Sequence, residues 1–278
     1  MAYEFNGTDQ HLHAATAVAT AAPLAMSCWF KPDNTTTFGE LIAISKDTGS
    51  DVNNFFRLTC FGNHATADPL VAQTADGSSI ATATTSTNFV TGVWQHAFAV
   101  FASASSRSVW LNGGGLGTDT VSRTPSGLNR TAIGTKIRQT APGYSGSFDG
   151  QIAEVAIWAG SGVENMGAGQ AALLAAGFSP RCLRRWAANL VLYQDLIRPL
   201  NRPGDGVPCT AANGPSVTPH PRAMHPTGQR LGLIPPHHFV VPFRSRVGAA
   251  YVGGAVRGDA TVAGTVYGTT FPIGEVST

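Results

Sequence analysis

Apolar side chains alternate with small or polar ones along much of the first 160 residues, most clearly in 147–158 (SFDGQIAEVAIW). Gly146 and Gly150 supply a turn ahead of it. Phe148 and Ile152 stand before Val155 and Ile157, with Gln151 and Glu154 interrupting the apolar run. Alternation built from β-branched and aromatic residues is what a strand with one buried face requires. Two other stretches share the pattern. Residues 92–100 (GVWQHAFAV) carry Trp94, Phe98 and Val100 at even spacing, and 108–113 (SVWLNG) ends in an Asn-Gly turn. The spacing predicts an antiparallel hairpin that pairs with the later strand 147–158.

In chain order, the pattern predicts a first strand over 4–12, broken at Asn6-Gly7, then strands over 24–30, 40–45 and 55–61. Residues 70–73 and 79–83 suit a further hairpin, while the Ala/Thr/Ser tracts 65–76 and 81–87 have little to bury and read as short strands or loops. Between Gly113 and Gly146 turn chemistry dominates, with one short strand over 130–137. After Trp158 the period changes. Residues 167–176 (GAGQAALLAA) predict a helix stopped by Gly177 and Pro180, and 190–193 (LVLY) a last strand.

The chain from Pro215 onward differs. Pro215, Pro219, Pro221, Pro226, Pro235 and Pro236 exclude a helix or sheet interior and favour an extended path. Fully extended, the chain from Arg230 to Ala249 reaches on the order of 65 Å. Beyond it V-x-G-x-V-x-G occurs twice, at 252–258 and 262–268, which predicts a small hairpin with one Val face. Two strands alone are marginal in water. The expected organisation is therefore a domain over 1–228 and an assembly arm over 229–278. The arm's apolar residues are Leu231, Leu233, Ile234, Phe239, Val241, Phe243, Val252, Val256, Val262, Val266 and Phe271. Burying each is worth about 1.5–3 kcal/mol, against roughly 1–2 kcal/mol for ordering a residue's backbone. Such an arm is expected to order where a partner adds contacts.

Four landmarks carry a family resemblance: 3–12 (YEFNGTDQHL) with 24–32 (LAMSCWFKP), Trp94-Gln95-His96, 110–113 (WLNG), and the F-x-G-x-I-x-E strand at 148–158. Together they resemble the laminin-G-like, concanavalin A-like lectin family of jelly rolls. The resemblance implies an all-β fold: a two-sheet antiparallel jelly-roll sandwich with one short helix, plus an extended C-terminal arm with a small β-hairpin. Residues 173–180 (LLAAGFSP), the LVLY strand and His220-Pro221 resemble a subset of this fold found among bacteriophage and prophage virion proteins. That implies a non-enzymatic virion structural protein, decorating the capsid or associated with the tail. Viral capsid or tail proteins and sister subunits of a homo-oligomer are then its partners. The alternative is a carbohydrate-binding adhesin that attaches the particle to host surface glycans.

Composition narrows this further. Charged residues are 12% of 278 and the formal net charge is +2, which argues against nucleic acid as a partner. The sequence has no apolar run of about 20 residues to span a membrane, and MAYEFNGTDQ lacks the basic-then-apolar order of a secretory leader. Synthesis in a reducing host cytoplasm follows, with the virion as destination. Cys28, Cys60, Cys182 and Cys209 form no C-x-x-C pair, and Cys28 lies in an apolar strand, so it is expected as a buried free thiol.

Jelly-roll glycanases need paired carboxylates on one face. Glu154 has only Ile152 and Ala156 at even spacing, so no hydrolase chemistry is expected. His11-x-His13 and His237-His238 lack acidic or thiol companions and read as surface histidines. Arg257-Gly258-Asp259 reads as turn chemistry, and the Arg residues at 181, 184, 185, 198 and 202 as packing around the last strand. No cofactor is implied. Calcium keeps Asp33, Asp47, Asp51, Asp119 and Asp149 as candidate loop ligands, though no common spacing links them. Trp94, Trp110 and Trp158 are expected in the core.

Overall fold

A computed structural model describes residues 2–35, 38–48, 53–62, 68–77, 79–138, 143–196, 200 and 206–221, and the backbone alone of 239–244, 251–256, 265–266 and 269–270. The chain divides into two units, Met1–His225 and Pro226–Thr278.

The first unit begins with β1 (Ala2–Asn6), β2 (His11–Ala14), β3 (Leu24–Pro32), β4 (Phe38–Ser45) and β5 (Asn54–Phe61). β6 (Pro69–Asp76), β7 (Ile80–Asn88), β8 (Gln95–Ser103), β9 (Ser106–Leu111) and β10 (Gly114–Asp119) follow. Then come β11 (Arg130–Ile133), β12 (Lys136–Ile137), β13 (Tyr144–Ser145), the long β14 (Asp149–Ala159) and helix α1 (Ala168–Ala175). β15 (Leu190–Gln194), β16 (Thr210–Ala212) and β17 (Ser216–Thr218) close the unit. Among the described residues, one sheet runs β10-β9-β8-β3-β14-β1-β17 with β15 also on β14, and the other runs β16-β2-β11-β4-β5-β6-β7. This is the all-β two-sheet antiparallel sandwich the sequence implied.

Asn112 and Gly113, at φ 53° and 75°, turn β9 into β10 with the left-handed pair that a two-residue hairpin favours. The β8–β9 hairpin forms as expected, with Phe98 opposite Trp110. It does not pair with β14, however, because β3 lies between them, Cys28 facing Ala97 on one side and Trp29 facing Ala153 on the other. β3 can occupy that central place because alternate side chains fill both faces, Met26 and Phe30 on one, Ala25 on the other.

Four further expectations are corrected. β1 and β2 are not one broken strand but belong to different sheets. The Asn6 side-chain oxygen accepts from the backbone N–H groups of Thr8 at 3.0 Å and Asp9 at 3.1 Å, shaping the crossing. Residues 130–137 split at Gly134, whose φ of 82° breaks the strand where a side chain would strike the Phe5 ring. LVLY (β15) is not last, since β16 pairs with β2 and β17 with β1. The Ala/Thr tracts, read as marginal, form full-length strands, with Ala72 and Ala83 fully buried between neighbours.

The inter-sheet core holds Phe5, Met26, Phe30, Leu58, Phe101 and Ile152, among others. A second apolar cluster lies on the outer face of the β14 sheet, where Phe98, Trp110, Trp158 and Tyr193 meet Leu174 of α1 and Trp186. α1 ends as its sequence requires: Gly177 adopts φ 89°, its N–H bonds the Leu174 carbonyl at 3.0 Å, and Phe178 N–H bonds that of Leu173 at 3.2 Å. On the far side β7 and β10 close the sandwich, with Gly117 so close to the Thr84 carbonyl that no side chain fits. Cys28 is a buried free thiol, as expected.

In the second unit β18 (Phe239–Arg244) pairs with β19 (Tyr251–Val256), and β20 (Thr265–Val266) with β21 (Thr269–Thr270). Among the described residues the two V-x-G-x-V-x-G segments therefore do not pair with each other. The Gly-rich 251–256 strand takes FVVPFR as partner, a segment richer in the β-branched and aromatic residues that strands favour. Of the assembly-arm residues, Phe239, Val241 and Phe243 lie on β18, Val252 and Val256 on β19, and Val266 on β20. Leu231, Leu233, Ile234, Val262 and Phe271 lie outside the described residues, as do His237, His238 and the Arg257-Gly258-Asp259 tripeptide.

Candidate functional site

The strand with the clearest alternation, β14, is also where polar chemistry concentrates. One edge of β14 pairs β3; the other pairs β1 over Asp149–Ile152 and then β15 from Val155 onward. Glu154 sits at the changeover, in a bulge with φ 52° that lets the inward set pass from Ile152 to Val155. Its carboxylate accepts a 2.6 Å bond from the Tyr193 hydroxyl, and His220 Nε2 lies 3.1 Å from the other oxygen. The same His220 nitrogen is 3.2 Å from the Asp195 carbonyl, and Ser179 Oγ is 3.0 Å from the Tyr193 oxygen. Burial, then the Glu154 charge, pushes the Tyr193 phenol well up. Glu154 is thus a buried fastening for the segment that returns from β15 through β17.

Beside it, Ser27 Oγ is 2.9 Å from His96 Nε2, the residue types of a nucleophile and its base. Both are closed to solvent, at 1% exposure each. Burial pushes His96 down to about 3, against the opposing pull of Glu154. The unfolded imidazole titrates near 6.5, so the unfolded state takes up the proton between those values. Stability from this residue is fully present above about pH 6.5 and declines as pH falls toward 3, by up to about 1.4 kcal/mol per pH unit. Melting curves at pH 7 and pH 4 are expected to lie closer together in His96→Gln than in the parent; equal separation would refute the assignment.

The outer face of the other sheet carries a second network that the sequence did not disclose. Arg57 Nη1 donates to Glu40 Oε1 at 2.5 Å, Thr59 Oγ1 to Glu40 Oε2 at 2.7 Å, and Arg57 Nε to Gln73 Oε1 at 2.7 Å. Gln73 in turn donates to Thr82 at 2.9 Å, so the chain of bonds crosses β4, β5, β6 and β7. The guanidinium lies 4.6 Å from the Phe38 ring centre and 4.3 Å from that of Phe55. Lys136 sits 4.6 Å from the Phe55 centre, and burial lowers its pKa. Glu40 is fully buried and already paired, as Glu154 is. Neither carboxylate is open to a substrate, which is what acid or nucleophile work at a glycosidic bond needs.

The structure places the remaining candidates apart. His11 and His13 lie on one face of β2 with ring centres 5.3 Å apart, and burial lowers both pKa values; His11 is 6% exposed, so it is not the surface residue expected. Asp47 bonds Asn129 and Arg130, Asp119 pairs with Arg107, and Asp149 accepts from Asn34 at 2.7 Å; Asp51 lies outside the described residues. Among the described residues no group of three His, Cys, Asp or Glu is placed to hold a metal ion, and no helix is long and apolar enough to cross a membrane. Arg181 and Arg185 lie over the Tyr193 and Trp186 rings, the packing role expected of them. Trp110 and Trp158 are core, but Trp94 precedes β8 and is only half-buried, because its backbone has not yet joined the ladder.

One partly open polar row remains, on the outer face of the β14 sheet. Lys31 stands opposite Gln151, Gln151 opposite Glu4, and Glu4 opposite Ser216. Half-buried Trp29, two residues before Lys31 on the same face, meets the His96 ring at 5.4 Å, edge to face.

Two packed antiparallel sheets, with Glu40 and Glu154 locked into their own networks, define a lectin-like jelly-roll sandwich. The chain belongs to the concanavalin A-like lectin/glucanases superfamily, whose family model matches residues 6–161. A heptameric SAP-like pentraxin from Limulus polyphemus has a similar structure, with TM-score 0.53 and 19% identity over 65% of this chain and 83% of that one. A candidate carbohydrate-binding protein from Bacteroides ovatus gives TM-score 0.51 and 14% identity, covering 79% of this chain and 59% of that one. At these identities the likeness is one of fold. No curated protein matches the sequence.

Proposed function

We propose that this protein is a non-enzymatic, carbohydrate-binding display module carried on a bacteriophage particle. The observation that carries the binding reading is the closure of Glu40 and Glu154, the two buried strand carboxylates, in a fold that serves lectins and glucanases alike: they are 0% and 2% exposed. A hydrolase of this architecture has to present such groups to its substrate. A sandwich that locks them into its own framework keeps its surface for binding. The description of the Bacteroides ovatus relative is in keeping with this, as is membership of the superfamily.

The virion assignment rests on residues 173–180, Leu190–Tyr193 and His220-Pro221, which resemble the phage and prophage subset, and on the separate unit Pro226–Thr278 as an attachment arm. Capsid or tail proteins and sister subunits are its partners in this reading, and a host glycan is the ligand. Two measurements test it. The purified protein is expected to retain oligosaccharides on a glycan array without releasing reducing ends. Reducing-end release that disappears in Glu154→Gln would make it an enzyme. The protein is also expected to co-sediment with phage particles, and its absence from the particle fraction would remove the virion role.

A further inference from the structure

We propose that Trp29 and the row Lys31, Gln151 and Glu4 form the glycan-binding platform, and that its ligand is a neutral oligosaccharide. This rests on the carbohydrate-binding reading above and assigns it a place and a ligand class.

The placement follows from strand parity. Met26, Cys28 and Phe30 fill the inter-sheet core, so Trp29 and Lys31 face outward. Phe5 is in the same core and Tyr3 packs against it, so Glu4 faces outward too. Gln151, hydrogen-bonding neighbour of both strands, completes the row, and Ser216 extends it onto β17. Four strands at about 4.8 Å spacing span roughly 14 Å, a surface that extends beyond one sugar ring.

The chemistry suits hydroxyl groups better than ions. Lys31 and Glu4 carry opposite charges, and Asp149, two residues from Gln151 on the same face, adds a further negative one, so the row offers no attraction to an anionic partner. Lys31 supplies donors, Glu4 acceptors, and Gln151 both, which is the set that vicinal hydroxyls need. Gln151 Nε2 lies 3.5 Å from Glu4 Oε2, long for a hydrogen bond, and Lys31 has no ion pair among the described residues. Their bonding capacity is therefore available to a ligand.

Trp29 provides the apolar face. Its ring is held against His96, whose ring is fixed by Ser27 and whose backbone N–H donates to the Asn112 side chain at 2.8 Å. A half-buried, braced indole beside a polar row is preorganised for stacking against a pyranose, and little side-chain freedom is lost on binding.

The test uses the full chain and tri- and tetrasaccharides of glucose, galactose, mannose and N-acetylglucosamine, with sialyllactose as the charged comparison, in calorimetry and tryptophan fluorescence. At least one neutral oligosaccharide is expected to bind, and Trp29→Ala to weaken it by about tenfold or more. Gln151→Ala and Glu4→Gln are expected to weaken it by roughly three- to tenfold each while melting like the parent. If Trp29→Ala fails to fold, these two variants decide. Parent-like binding by all folded variants would overturn the platform and leave the carbohydrate-binding reading standing. Binding of sialyllactose alone would overturn the ligand class. No binding of any probe by the parent would overturn both.

Discussion

Glu40→Ala is expected to destabilise the sandwich by about 3–5 kcal/mol, the usual cost of leaving a buried charge without its partner. Arg57 would keep its contacts with Phe38, Phe55 and Gln73 but lose the carboxylate that neutralises it, in a place where Glu40 is fully buried. Thr59 would lose its acceptor as well. For a unit of this size the melting temperature is expected to fall by roughly 6–20 °C. The paired replacement Glu40→Leu with Arg57→Met is expected to recover much of that loss, since burying an ion pair is costly in itself. A melt unchanged in Glu40→Ala would mean that Arg57 reaches water and that the network is not a structural element.

Trp158→Ala is expected to cost about 3–5 kcal/mol. Its side chain is fully buried in the outer cluster between β14 and α1, with Phe98, Leu174 and Trp186 in the same group. Removing it leaves a cavity among large rings that the surrounding cluster cannot readily close. Trp94→Ala is the comparison. That ring is half-buried and lies outside β8, so its loss is expected to be clearly smaller. Chemical denaturation of the two variants ranks the rings, and the reverse order would place Trp94 in the core and Trp158 at its margin.

The fold was legible in the sequence wherever alternation is strong. β3, β5, β8, β9 and β14 announce themselves because one face of each must be apolar. The bulge at Glu154 was also written there: the inward set runs Phe148, Ile152 and then Val155, Ile157, and the change of parity marks the extra residue. β16 and β17 left no such trace. They are three-residue strands with exposed or half-buried side chains, held by ladders to β2 and β1, so their sequence has no face to pattern. The candidate sites were less legible for a related reason. Glu40, Arg57 and Gln73 lie on three strands and meet only through register, and the same holds for Lys31, Gln151 and Glu4. His220 meets Glu154 across the whole closing segment. Periodicity reports a strand's faces and nothing about which strand comes beside it.

β1 and β2 wait for neighbours that are made much later in synthesis. β1 pairs with residues at 149–152 and 216–218, β2 with residues at 131–133 and 210–212. At roughly 5–20 residues per second, the ribosome needs about 10–40 s to make the intervening 200 residues. Until β11 and β14 emerge the two strands have no ladder, and neither sheet can be completed before the chain passes Ala212. Contacts so distant in sequence make for slow folding, and a growing chain poor in charge has little repulsion to keep it from its neighbours on a polysome. Expression at low temperature, or with a holding chaperone present, is the natural condition in which such a molecule reaches its native state.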